Sequence, residues 1–290
     1  MPSLTTREQL INRARRVSAK KRLGQNFFID ADRLDRIVDA LSLSASDHVL
    51  EIGPGLGFLT DRLTETGARV TAVELDGELV PKLRNEFGRR AEIIHANFLD
   101  FDIGSLTPVP NKIVGNIPYQ ITSPICAHIF GEIGEPSPWS PKIELLVMTV
   151  QFEVAERLLA KPGTKAYSHL TVLKDYLFDV EFLFKVPPDS FWPIPEVTSA
   201  VVRCTPLPAP PVVCRDMRLF KRILQTGFKQ RRKMLKNNLS FLHLDEQKVT
   251  ELMRKARINP LARAEDLSIQ QFALLSDILS EHIAHPGDDR

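Results

Sequence analysis

A chain of 290 residues, 43% hydrophobic and 26% charged, has the composition of a globular protein with room for one large domain and a smaller one. No apolar run approaches the roughly 18–20 residues that a bilayer span needs, which excludes a helical membrane protein. Three scattered cysteines (Cys126, Cys204, Cys214) and seven histidines without ligand spacing point to a reducing, cytoplasmic setting and to no metal.

The net charge is only +2, but the bases are clustered. Residues 9–29 contain no acid and six bases: Arg13, Arg15, Arg16, Lys20, Lys21 and Arg22. Residues 1–24 read as a basic N-terminal extension. Val49-Leu50-Glu51-Ile52 then predicts a short buried strand running into Gly53-Pro54-Gly55-Leu56-Gly57. Phe58 to Thr66 predicts a helix, stopped by Gly67 at the position where a left-handed residue commonly ends one. Arg69 to Leu75 is β-branched and apolar, a second strand. Residues 78–87 read as a helix, Glu92 to Ala96 as a third strand, Lys112 to Gly115 as a fourth and Ile143 to Val150 as a fifth. Strands alternating with helices predict an α/β doubly wound sheet.

The pattern changes after a helix expected over 151–160. Val180 to Phe184 and Ala200 to Arg203 read as a strand pair around the proline-rich stretch 187–195, an antiparallel end to the sheet. Pro206, Pro208, Pro210 and Pro211 form a stiff linker. Residues 215–285 carry helical periodicity alone. The expected organisation is therefore a Rossmann-like domain over 1–208 and a small all-helical domain over 209–290. Residues 217–244 again hold no acid, and eight bases: Arg218, Lys221, Arg222, Lys229, Arg231, Arg232, Lys233 and Lys236. Two basic segments on a near-neutral chain read either as solvated faces or as the footprint of a polyanion.

Chemistry concentrates in two places. Glycines at 53, 55 and 57, between a strand and a helix, let the backbone approach a bound nucleoside closely. Glu74 follows Gly53 by 21 residues, at the end of the next strand, where a carboxylate can accept both ribose hydroxyls. A dinucleotide site shares this logic but spaces its glycines G-x-G-x-x-G. The earlier third glycine here favours S-adenosylmethionine, which has no pyrophosphate to cradle. The second place is Asn116-Ile117-Pro118-Tyr119 at a strand end. Its amide carbonyl and the backbone carbonyl before Tyr119 could accept both N–H bonds of an exocyclic amine, and the ring could stack on the base. Phe191, in a loop stiffened by Pro193 and Pro195, would either close the other face of that base or plug the packing. Phe228 to Leu235 reads as a dense basic helix start with apolar anchors, suited to phosphates of folded RNA.

On these residues the chain closely resembles the ribosomal RNA adenine dimethyltransferase family in its bacterial small-subunit form. The matching stretches are Lys21 to Phe27, Glu51 to Gly55, Val73 to Asp76, Gly115 to Tyr119 and Lys165-Ala166-Tyr167. Phe191 to Pro195, Val197 to Val202 and Gln230 to Lys233 complete the series. The resemblance implies an S-adenosylmethionine-dependent enzyme that adds two N6 methyl groups to each of two adjacent adenosines near the 3′ end of 16S rRNA. The implied partner is the immature 30S subunit, and the chain is expected to act as a monomer. Asn26, Phe28, Gly53, Glu74, Asn97 and Asn116 would contact the cofactor. Asn116, Pro118, Tyr119 and Phe191 would hold the adenine, and Lys21, Arg22, Lys229, Arg231, Arg232 and Lys233 the RNA. The chain departs from the family pattern at Asn97 (usually aspartate), Phe28 (leucine), Phe152 (lysine) and Ser168 (glycine). The rival readings are the large-subunit adenine dimethylase, a non-catalytic assembly or transcription factor on the same fold, and a nicotinamide-dependent oxidoreductase.

Overall fold

The computed structural model describes residues 6–117 and 121–282. In chain order the main elements begin with α1 (Arg7–Arg15), β1 (Phe27–Phe28), α2 (Ala31–Leu41), β2 (His48–Ile52), α3 (Phe58–Glu65), β3 (Arg69–Glu74), α4 (Val80–Phe87), β4 (Ala91–His95), β5 (Lys112–Asn116) and α5 (Thr122–Phe130). A two-strand ribbon, β6 (Gly131–Glu132) and β7 (Glu135–Pro136), precedes β8 (Leu145–Gln151), α6 (Phe152–Leu158), α7 (His169–Leu177), β9 (Phe178–Val186), β10 (Phe191–Trp192) and β11 (Ser199–Pro206). The remaining helices are α8 (Met217–Lys229), α9 (Leu235–Asn238), α10 (Glu246–Lys255) and α11 (Ile269–Ser280).

Seven strands form one sheet in the order β4-β3-β2-β5-β8-β11-β9. The first five are parallel, and β11 runs antiparallel to β8. Every residue of β2 is buried, as expected of a parallel strand covered on both faces. The chain winds outward through β3 and β4 and then returns to β5 on the other side of β2. That reversal opens a crevice beyond the carboxyl ends of β2 and β5, where doubly wound sheets bind ligands. Register brings the site together there: Ile52 pairs with Val73 and with Gly115, and Asn116 pairs with Thr149. Glu74 and Asn116, the last residues of β3 and β5, and Gly53, the first after β2, therefore lie side by side.

Two glycines are fixed by packing. A Cβ on Gly115 would lie 2.9 Å from both Cβ and the carbonyl oxygen of Ile52, so only glycine lets β5 close on β2. Gly57, left-handed at φ +76°, starts α3, and a Cβ there would meet the Phe87 ring at 2.4 Å. At the opposite end of the sheet Asp47 accepts from Asn111, Ser44 and Lys112. Burial alone would raise its carboxyl, but these donors outweigh it and hold the group below the usual carboxylate range.

The chain divides into two compact units. The first comprises Met1–Gly131, Ser137–Ala155 and Val180–Pro206; the second comprises Glu132–Pro136, Glu156–Asp179 and Leu207–Arg290. This differs from a single boundary at 208/209. Residues 156–179 lie with the helices because Tyr167, Val172, Leu173 and Tyr176 are buried in a core with Phe220, Ile223, Leu252 and Phe272. The core of the first unit joins α2 and α3 (Leu34, Ile37, Leu41, Leu59, Leu63) to the sheet through Val49, Val70 and Val114. Among the described residues no helix is long and apolar enough to cross a membrane, and no acid, histidine or cysteine cluster could hold a metal.

Candidate active site

A cleft of about 1120 Å³, part of it open to solvent, lies at the crevice. Its walls include Gly24 to Phe28, Glu51 to Leu56, Glu74, Asn97, Asn116 and Thr149. Gly53, Gly55 and Gly57 all have positive φ, which lets the turn between β2 and α3 curl tightly. Nothing lies within 4 Å of the point where a Cβ on Gly53 would sit. That free space is where a ligand can lie against the backbone.

Glu74 is only 5% exposed. Its Oε2 accepts the Gly55 N–H at 2.9 Å and its Oε1 accepts the Asp76 N–H at 2.8 Å. Burial raises its carboxyl above the ordinary value, opposed by these two backbone bonds. Each oxygen keeps a second lone pair, so the carboxylate can still accept a vicinal diol. Asp76 ties this wall to the N-terminal segment. Lys20 Nζ donates to its Oδ1 at 2.7 Å and Gln25 Nε2 to its Oδ2 at 2.9 Å, while the Lys20 N–H donates to Gln25 Oε1. Lys20 also pairs with Glu78, so it is a brace within this wall.

Asn116 is oriented by a distant partner. Its Nδ2 donates to the backbone carbonyl of Asn26 at 2.8 Å. With the NH2 half committed there, Oδ1 is left as the acceptor. Asn26 itself donates from Nδ2 to Gly24 O. Pro118 and Tyr119 lie outside the described residues. Asn97 is exposed and caps the turn after β4: its Oδ1 accepts the Leu99 N–H, and its Nδ2 donates to Asp100 at 2.7 Å.

Phe28 lines the cleft, whereas Phe191 is 1% exposed and sits behind it. The two rings pack at 4.7 Å between centroids. Their strands pair, Phe28 opposite Phe191, and Ile29 N–H donates to Ser190 O while Ser190 Oγ donates to Asp30. Phe191 is thus not a ring presented at a loop tip; the pairing of β1 with β10 draws it into the core behind Phe28.

One titratable residue of the cleft had no assigned role in the sequence. Glu51, 2% exposed, accepts a hydrogen bond from Thr60 Oγ1 at 2.6 Å. Burial pushes its carboxyl up to about 8, the Thr60 bond opposing and the neighbouring Glu74 adding. Its place two residues before the glycine turn was the available signal.

The cations of the basic segments divide into two kinds. Arg13 pairs with Glu86, and the Arg15 guanidinium lies over the Trp192 ring. Arg22 is exposed, and the Lys21 side chain is outside what is described. In the second unit Arg231 Nη2 donates to Lys165 O at 2.6 Å, Tyr167 O at 2.8 Å and Glu265 at 2.9 Å. It is a clamp on the 165–167 segment, not a free cation. Lys229, Arg232 and Lys233 are exposed.

Residues 16–281 match the family model described as Ribosomal RNA adenine dimethylase. Curated relatives include the Ribosomal RNA small subunit methyltransferase A of Acaryochloris marina, 42% identical over 89% of this chain and 96% of its own length. The protein of the same description from Synechocystis sp. is 43% identical over 90% and 96%. Among solved structures, a dimethyladenosine transferase from Plasmodium falciparum shares the fold at TM-score 0.70 and 22% identity, over 85% of this chain and 94% of that one. The 23S rRNA methyltransferase ErmE gives TM-score 0.65 at 28% identity, over 88% and 100%. The chain therefore belongs to the ribosomal RNA adenine dimethylase family of S-adenosylmethionine-dependent transferases.

Proposed function

We propose that the chain dimethylates N6 of two adjacent adenosines near the 3′ end of 16S rRNA, acting as a cytoplasmic monomer on the immature small subunit. The observation that carries the chemistry is the orientation of Asn116, whose Oδ1 faces service as an acceptor because its NH2 is held by Asn26 O. The small-subunit relatives, matched over about nine-tenths of this chain, support that subunit over the large one.

The cleft fits S-adenosylmethionine on its own evidence: open backbone at Gly53 and a buried diol acceptor at Glu74. Glu74 would hold the ribose, Gly53 and Asn26 the amino-acid portion, Phe28 an apolar flank and Asn97 the adenine amine. When bound, the cofactor supplies an electrophilic methyl group on a sulfonium sulfur. Asn116 Oδ1 would accept one N6–H of the target adenine and pull the nitrogen lone pair out of conjugation with the ring. The carbonyl before Tyr119 would accept the other N–H, with Pro118 and Tyr119 positioning the base. Attack makes the nitrogen acidic, so its proton passes to water without a strong base, and catalysis rests on positioning and electrostatics. Phe191 would act through Phe28, keeping that ring in place. Arg22, Lys229, Arg232 and Lys233, with Lys21, would take RNA phosphates.

The test is methyl transfer from labelled S-adenosylmethionine to undermethylated small and large subunits. Label is expected in the small subunit, as N6,N6-dimethyladenosine; label confined to the large subunit overturns the assignment.

A further inference from the structure

The cleft contains two buried acids and, among the described residues, no cation facing the deeper of them. Glu51 receives one side-chain hydrogen bond, from Thr60 on α3. The buried cation of α3, Arg62, is engaged elsewhere, donating to Asp35 on α2 at 2.5 Å and to Phe58 O at 2.9 Å. From β3 the facing group is Glu74, another acid. From β5 the cleft receives Asn116, which is neutral; Lys112 lies at the far end of that strand, on Asp47 and Ser42 O. Lys20 is held outside by Asp76 and Glu78. Ionised, Glu51 would be a buried charge beside a second carboxylate with no counter-ion, so the empty cleft favours its neutral form.

We infer that Glu51 is the cation receptor of the cleft and that S-adenosylmethionine binds with release of a proton from it. The inference rests on the cofactor reading above. The exchange balances: a neutral carboxylic acid and a ligand carrying sulfonium and ammonium charge become a carboxylate facing a cation, and the proton passes to bulk buffer. Glu74 has less proton to release than Glu51, because both its oxygens accept backbone N–H bonds that already favour its ionised form, whereas Glu51 accepts a single hydroxyl. Burial already places the Glu51 carboxyl near neutrality, where coupling to ligand charge has its greatest effect. Affinity for the cofactor should then rise with pH by up to about tenfold per unit below the Glu51 pKa and level off above it.

The test is calorimetric titration of the intact protein with S-adenosylmethionine near pH 7, in two buffers of different ionisation heat. The difference in heat counts the protons released. Wild type should release close to one, and Glu51→Gln should release none and lose the pH dependence of affinity. Buffer-independent heat in wild type overturns the inference, as does a Glu51→Gln variant that releases as many protons as wild type. Absence of any binding would instead bring down the cofactor reading, and the inference with it. Infrared difference spectra of the wild type provide a readout that needs no variant: a protonated-carboxyl band should disappear when the cofactor is added, and its persistence overturns the inference.

Discussion

In the cleft, the polar groups are committed to the chain before any ligand arrives. Asn116 donates to Asn26 O, Glu74 accepts from Gly55 and Asp76, and Lys20 and Gln25 brace Asp76. At the end of α8 and in the loop after it, where the sequence suggested a helix start, the arrangement is the reverse: Lys229, Arg232 and Lys233 stand exposed, and Arg231 alone among the four is drawn inward. The first region needs fixed distances, because a reacting atom must be placed to within a fraction of an ångström. Under the RNA-binding role proposed for it, the second needs only net positive charge near phosphates, which long side chains provide. One site is written in backbone geometry and the other in charge density, so substitutions in the two should fail differently.

Four variants test that contrast. Gly57→Ala should have the largest effect: a Cβ 2.4 Å from the buried Phe87 ring at φ +76° should cost about 3 kcal/mol or more. Thermal melting should show a strongly destabilised or unfolded first unit. Asn116→Ala should leave the melting curve nearly unchanged and lower the methylation rate by about 100- to 1000-fold, with RNA affinity retained; unaltered turnover would remove Asn116 from the mechanism. Arg231→Ala should destabilise by about 2–3 kcal/mol, since it strands the half-buried Glu265 and two carbonyls. The salt dependence of RNA binding should stay as in wild type, and a lower salt slope with unchanged melting would reverse the role given to Arg231. Combined replacement of Lys229, Arg232 and Lys233 by alanine should do the opposite. Melting should hold, while the slope of log affinity against log salt falls by about 2–3.

Much of the sheet was legible because its strands are apolar, β-branched runs set off by turns. β2, β3, β4, β5 and β8 each lie within a residue or two of their expected bounds. α2 had no prediction, although Asp30 caps it and Leu34, Ile37 and Leu41 repeat at helical spacing; that signal was present. The pairing of β1 with β10 had no such signal, since two-residue strands have no periodicity and their partners lie more than 160 residues apart. The burial of Phe191 follows from that pairing and was hidden with it. Arg231 shows a similar blindness: in a run of four polar and basic residues, nothing local marks the one whose carbonyl partners come from residues 165 and 167. Gly53, Glu74 and Asn116 could be singled out because they lie at or just past strand ends, and parallel register brings those ends together.

The bond from Asn116 to Asn26 O spans 90 residues and has a consequence for the order of events in the life of the chain. The glycine turn and the first parallel strands can assemble from contacts nearby in sequence, whereas the amide acquires its direction only when the N-terminal segment closes over β5. A nascent or partly folded molecule would therefore present a nucleoside pocket without an aimed acceptor.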